Sequence, residues 1–449
     1  MMTVRKRYAI MKNDEGNKRR KMKEKEKSLK IEQLFLIIFC ILGLLYTIAI
    51  PPFRMTDEYR HFVRAYEISK GQIISAEEST ESLQQLAGQA TWKIWREDPD
   101  ITVREEWVKD SSIPSSYSPF SYFVSSILLF FAGLCTDKVL VLIYVARLGQ
   151  LATVALLLYP VIKNTSSAVN LFILIGLMPM CMQEFAVLSG DSMAIALTMD
   201  VIAFVLWQRE AGEGSMGWNE ILAMIVMAFF LGQCKYIYVF VCLLYFFIPK
   251  KRFGGICIWR KGIAAVAVGV CAGVPMLGWL LKVGSIGGAP RSVAGGSTFT
   301  LPEIVVRSLL ANAKLYVASS TADGFGDLDI HSGIYWIVII LLLLFYVGIL
   351  EDKKELKLSV GLRLGMLGTA VISVFMLFYT FIGGTNPETG VTNGLQGRYF
   401  IPMYLPVLLG ISIPSRKIKF PEIPQKYFVI VMAIIDAGIA GLIMKCCIA

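Results

Sequence analysis

The sequence predicts an all-α, polytopic membrane protein with about 11 transmembrane helices, the N-terminus inside and the C-terminus outside. Three observations predict it. Only 17% of the 449 residues are charged, where soluble domains sit near a quarter, and the mean hydropathy is +0.60. Apolar runs long enough to cross a bilayer, at about 20 residues each, recur along nearly the whole chain. Between them, Lys/Arg clusters fall at spacings that alternate the runs across a membrane. One membrane domain, 33–449, follows a basic tail, 1–32.

The elements follow in order. Residues 1–30 hold twelve Lys/Arg against four Asp/Glu, so this stretch carries +8 of a net +10. A transmembrane run follows it directly. The tail therefore reads as a cytosolic arm near anionic lipid, not a nucleic-acid arm, and it fixes the first helix as N-in. A long basic region and the lack of a small-x-small site near Tyr46–Pro52 make it a retained anchor. Crossing-length runs lie at about 33–50, 139–161, 167–184, 190–208, 220–235, 236–249, 261–282, 333–350, 361–382, 399–414 and 427–446. Lys250-Lys251-Arg252, Lys353-Lys354 and Arg416-Lys417 belong inside, which puts Asp191 and Lys235 outside. Parity then requires that one of the two apolar runs in 51–163 not cross: Tyr117–Leu134, with its aromatic start, is placed in the outer interface, the alternative being that it spans and a later pair of short runs is one helix.

This topology leaves outer loops at about 51–138, 283–332 and 383–398. The first, with Trp92, Trp95 and Trp107, predicts short juxtamembrane helices. The second, opening on Gly284 to Pro290 and holding Gly295-Gly296, predicts a flexible loop or lid, with a plain linker as the alternative. The nine cysteines form no CxxC pair and sit mostly in apolar runs, which argues against zinc and against a disulfide framework.

The unusual polar residues gather on one predicted face. Asp57, Glu58 and His61 follow the first run. Glu184 and Asp191 bracket a turn, Lys235 sits between two runs, and Arg398 opens another. Ionisable groups near hydrocarbon are costly and mark sites or pathways. In a helix, Asp57, His61 and Arg64 share a face, with Glu58 about 100° away. Asp57 and Glu58 are the candidate catalytic acids, Asp57 as general base. His61, Arg147, Asp191, Lys235, Gln396, Arg398 and Tyr399 are candidate substrate-binding residues. Lys235 offers a point charge to a phosphate and Arg398 a planar fork. A surface histidine paired with Asp57, and a lysine snorkelling to headgroups, stand beside these readings.

Two linked motifs, Asp57-Glu58-x-x-His61-Phe62 and Gln396-Gly397-Arg398-Tyr399-Phe400-x-Pro402, resemble the bacterial membrane family DUF2142, grouped with the GT-C glycosyltransferases. The resemblance implies a multi-pass protein of the bacterial plasma membrane whose active site faces the extracytoplasmic side. It implies transfer of a sugar from a polyprenyl-phosphate donor to a cell-envelope glycan acceptor, with Asp57 as first-loop base, Asp191 as second-loop acid and Lys235 as hairpin cation. No Trp-Trp-Asp occurs. Protein N-glycosylation is therefore not expected, no metal ligand is assigned, and a divalent cation stays open as cofactor. The alternative is a transporter or flippase of a lipid-linked saccharide. An acidic pair at a membrane surface, and the lack of an internal repeat, favour chemistry over transport.

Overall fold

The computed structural model describes residues 29–55, 57–73, 91–104, 118–165, 168–254, 257–286, 299–324, 331–350, 358–412 and 423–448. Its elements are helices throughout, with two isolated β-bridges among the described residues. We number them α1 Ile31–Ala49, α2 Glu58–Ser69, α3 Trp92–Glu97, α4 Phe123–Ala132, α5 Val139–Asn164, α6 Val169–Gly176, α7 Pro179–Ala186 and α8 Gly190–Glu210. There follow α9 Trp218–Cys234, α10 Cys257–Ile286, α11 Leu301–Thr321, α12 Ile334–Phe345, α13 Val360–Thr380, α14 Ile401–Ile411 and α15 Gln425–Ile448. Six of these (α1, α5, α8, α10, α13, α15) are long and apolar enough to cross a membrane. The bent pair α6–α7 makes a seventh if it is one span. The chain is thus a polytopic helical membrane protein.

The centre is α8, whose apolar stretch is 89% buried. Helices α5, α9 and α14 pack on it, α1 packs on α5, and α15 packs on α1. Helices nearer the outside turn large apolar side chains outward, such as Leu156, Val360 and Leu310, as a lipid solvent requires. Helix α1 ends where Pro51-Pro52 cannot continue it. The α6–α7 pair bends by 60° at Leu177-Met178, where Pro179 starts a new first turn. That break carries Glu184 and the following turn back into the bundle.

Several sequence readings are refined here. The Tyr117–Leu134 run forms a 3-10 turn, Pro119–Tyr122, and the ten-residue α4. At 1.5 Å per residue α4 is about 15 Å long, half a hydrocarbon core. It lies beside α5 with Phe123, Ile127, Phe130 and Phe131 exposed. The run at 236–249 is a twelve-residue 3-10 stretch, Tyr236–Phe247. Its rise of about 2.0 Å per residue gives roughly 24 Å where an α-helix would give about 18 Å.

The segment 283–332, expected as a loop or lid, contains α11, a 21-residue helix. Thr300 and Glu303 form its capping box and Pro302 stands in its first turn. Charged and polar residues such as Arg307, Asn312 and Lys314 dilute its apolar character below that of a membrane-crossing run. The glycine-rich opening, from Gly287 onward, and Trp107 lie outside the described residues.

Candidate functional site

Two charged clusters form where α1 ends, α8 begins, α9 ends and the 3-10 turn Gly397–Phe400 precedes α14. The first is a sealed staple. Arg147 of α5 donates from Nε to Glu58 Oε1 and from Nη2 to Glu58 Oε2, both at 2.7 Å. Its Nη1 donates to the carbonyls of Thr47 at 3.0 Å and Ile50 at 2.8 Å, and Nη2 to Pro51 at 3.2 Å. These are carbonyls at the C-terminal end of α1, which have no intrahelical donor. Glu58 also accepts the amides of Phe53 at 2.8 Å and Leu188 at 3.1 Å. Both side chains are 0% exposed. Neither lines the cavity described below, so Glu58 and Arg147 hold the Pro51–Asp57 turn and the 187–191 turn together.

Trp95 reinforces that turn from α3, donating to the Pro52 carbonyl at 3.3 Å and stacking edge-on against Phe53. The turn carries two left-handed non-glycine residues, Phe53 (φ 67°) and Asp57 (φ 65°). Such backbone costs about 1–3 kcal/mol each and persists where its surroundings impose it. Asp57 is the N-cap of α2, yet its carboxylate makes no capping hydrogen bond. It turns to Arg60 Nη1 at 3.5 Å and to Arg398 Nη2 at 3.4 Å.

The second cluster centres on Arg398. Its guanidinium meets three carboxylates from three elements: Asp57, Glu184 at 3.2 Å and Asp191 at 3.3 Å. Glu184 Oε2 accepts from the Ser189 hydroxyl at 2.6 Å. Gln150 of α5 fixes the whole turn, donating to the Glu184 carbonyl at 3.2 Å and accepting the Ser189 amide at 3.2 Å. The other oxygen of Asp191 pairs with Lys235 Nζ, which also stands 4.0 Å from the Tyr399 ring centroid. Burial pulls the Lys235 ammonium below its ordinary pKa, against the neighbouring Asp191 charge that holds it up. Unlike the staple, this cluster is incompletely satisfied: Arg398 Nε and Asp191 Oδ2 face each other without a well-aligned hydrogen bond.

Glycine at 397 is what lets Arg398 reach the centre. A Cβ there would stand 2.3 Å from the Tyr316 carbonyl and 2.4 Å from Ser319 Oγ, both on α11. The Gly397 amide instead donates to Ser319 Oγ at 3.0 Å. Tyr238 of the 3-10 stretch donates to the Tyr399 carbonyl at 2.7 Å, tying the Lys235 hairpin to the same turn.

A cavity of about 370 Å³ opens beside this cluster. Its polar wall holds Asp57, Arg60, His61, Tyr122, Lys235 and Tyr399; its apolar flank holds Met276, Trp279 and Leu280 of α10 with Leu377 and Phe381. His61 Nδ1 and the Tyr122 hydroxyl are 2.6 Å apart. Burial pushes the His61 pKa down to about 4, with Arg398 and Lys235 adding to burial while Asp57 and Asp191 oppose it. The imidazole is therefore neutral at pH 7.

The fold thus brings seven of the nine sequence candidates to the second cluster and its immediate wall or turn: Asp57, His61, Asp191, Lys235, Arg398, Tyr399 and, at the start of the 3-10 turn, Gln396. Gln396 takes part through its carbonyl, which accepts the Tyr399 amide at 3.2 Å. Glu58 and Arg147 stand apart in the staple. Sequence reasoning passed over Arg60 and Tyr122. Arg60 was legible as the residue one turn beyond Asp57; Tyr122 carried no signal beyond an aromatic boundary. Among the described residues no group of three His, Cys, Asp or Glu is placed to hold a metal ion. Asp57, Glu184 and Asp191 converge on Arg398 and Lys235 instead.

A family model described as "Predicted membrane protein (DUF2142)" matches residues 40–407. No curated protein and no solved structure matches the chain. The match covers most of the 449 residues, and the chain belongs to the DUF2142 family.

Proposed function

We propose that this DUF2142 protein is a membrane glycosyltransferase. It transfers a sugar from a polyprenyl-phosphate donor to an extracytoplasmic cell-envelope glycan, inverting the anomeric carbon. Asp57 carries the reading. It is a carboxylate on the wall of a half-apolar cavity, held in a strained turn, unused as a cap and 31% exposed. Acids held this way suit proton transfer more than structure.

In this reading the donor phosphate sits by Lys235 and Arg60, with the first units of its chain along Trp279 and Leu280. Asp57 takes the proton of the acceptor hydroxyl as that oxygen bonds to the anomeric carbon. The bond from that carbon to the phosphate oxygen breaks, and its electron pair leaves on the polyprenyl phosphate. Lys235 and Arg60 stabilise the charge growing there. Arg398 is a positioning residue: 6% exposed behind Tyr399, it sets the angles of Asp57 and Asp191. In the same reading α6–α7 as one span, the shorter helices α9, α12 and α14 and the 3-10 stretch bring the six long helices to eleven crossings, and the cavity opens outside the cell.

The test supplies purified protein with a prenyl-phosphate sugar labelled in the sugar and measures free polyprenyl phosphate. Release that needs both acceptor and Asp57 supports transfer. Movement of intact donor across a vesicle without release would assign a flippase.

A further inference from the structure

A second cavity, of about 430 Å³, lies between α5, α8 and α9, away from the site described above. Along α8, Asp200 is nine residues beyond Asp191, about 14 Å. The Asp200 side chain lines this cavity and the residue is 9% exposed. Among the described residues it has no hydrogen bond or ion pair, in contrast to Glu58, Glu184 and Asp191, each with several.

A carboxyl kept in the middle of a membrane-length helix without a partner is costly, and polar groups retained at such cost mark sites. The rest of the cavity defines what would relieve it. Among the described residues no Lys or Arg lines it, so they supply no cation. Glu220 at the mouth adds a second carboxylate, one oxygen of which already accepts the Gly217 amide at 2.9 Å. Two acids and no base repel an anion. Asn164 and Asn219 add amide groups at the same mouth, and Phe204 and Trp207, in edge contact at 5.9 Å, add aromatic lining. The remaining walls are aliphatic. The volume falls in the range of small-molecule sites.

We propose that this cavity binds a primary ammonium group on a short aliphatic body, with Asp200 as its counter-ion. The source is a free amine or the amine headgroup of a phospholipid. This site is independent of the transferase reading and is tested by binding alone.

The probe is hexylammonium, titrated into the full chain in detergent at pH 7 and followed by thermal shift and calorimetry, with hexanoate as the anionic control. Hexylammonium should bind wild type at least ten-fold more tightly than Asp200→Asn, and hexanoate should not bind. Ala203→Leu, which narrows the cavity and keeps the acid, should weaken binding as well; it serves if Asp200→Asn fails to fold. In nanodiscs of phosphatidylethanolamine the titration should shift about ten-fold to the right of that in phosphatidylglycerol if the lipid is the source. Equal titrations assign a free amine. Equal affinity in wild type and both variants, or no hexylammonium binding, overturns the proposal and leaves Asp200 a buried neutral acid.

Discussion

Asp57 and Glu58 are neighbours in sequence and opposites in surroundings. Glu58 is fully buried, meets Arg147 twice at 2.7 Å and accepts two backbone amides. Asp57 is partly exposed, shares Arg398 with two other acids at 3.2–3.4 Å and faces a cavity. A carboxylate with every lone pair engaged at short range defines geometry. One held by longer contacts at a cavity wall can accept a proton without collapsing its surroundings. The difference teaches that an acidic pair at a membrane exit need not act as a pair.

The widest separation between the two acids should appear in rate. Asp57→Asn should lower transfer by about 10²–10⁴-fold, the usual weight of a general base. Its melting temperature should stay near wild type, because Asn tolerates the left-handed backbone that Asp57 adopts. Full activity in a folded variant would remove Asp57 from the chemistry. The staple should fail the other way. Arg147→Ala leaves Glu58 buried without its ion-pair partner, and should destabilise by about 3–5 kcal/mol, read as loss of folded protein in detergent. Arg147→Lys should rescue poorly, since an ammonium cannot engage both oxygens of Glu58 and three carbonyls.

A smaller effect should appear with pH. His61 has a folded pKa of about 4, below its unfolded value near 6.5. Between those values the unfolded chain binds the extra proton, so the His61 contribution is complete above pH 6.5 and is lost as pH falls toward 4. It amounts to about 3 kcal/mol. Thermal denaturation from pH 7.5 to 4 should show the loss, and His61→Gln should flatten it. Smallest is Gly397→Ala. The added methyl must displace α11 or the Arg398 turn, and should cost about 1–3 kcal/mol in stability while raising the donor KM more than it lowers kcat.

Much of the fold was legible because lipid imposes a simple rule: long apolar runs became α1, α5, α8, α10, α13 and α15. The candidate site was legible residue by residue, since Asp57, Asp191, Lys235 and Arg398 are polar where apolar residues are expected. Their partners were not. Arg147 meets Glu58 across 89 positions, and Arg398 meets Glu184 across 214, distances at which local periodicity carries nothing. Helix α11 was hidden for another reason: its capping box stands at Thr300 to Glu303, but its charged and polar residues leave no long apolar run.

The 3-10 stretch from Tyr236 to Phe247 leaves an imprint that a heptad or an α-helical wheel would blur. With three residues per turn, side chains eclipse every third position. Leu243 and Phe246 are exposed and Phe240 is half-buried, while Tyr238, Val241 and Leu244 form a buried stripe. Substitutions along this segment should therefore alternate between tolerated and damaging in steps of three, a cadence that would reveal its winding without any image of the protein.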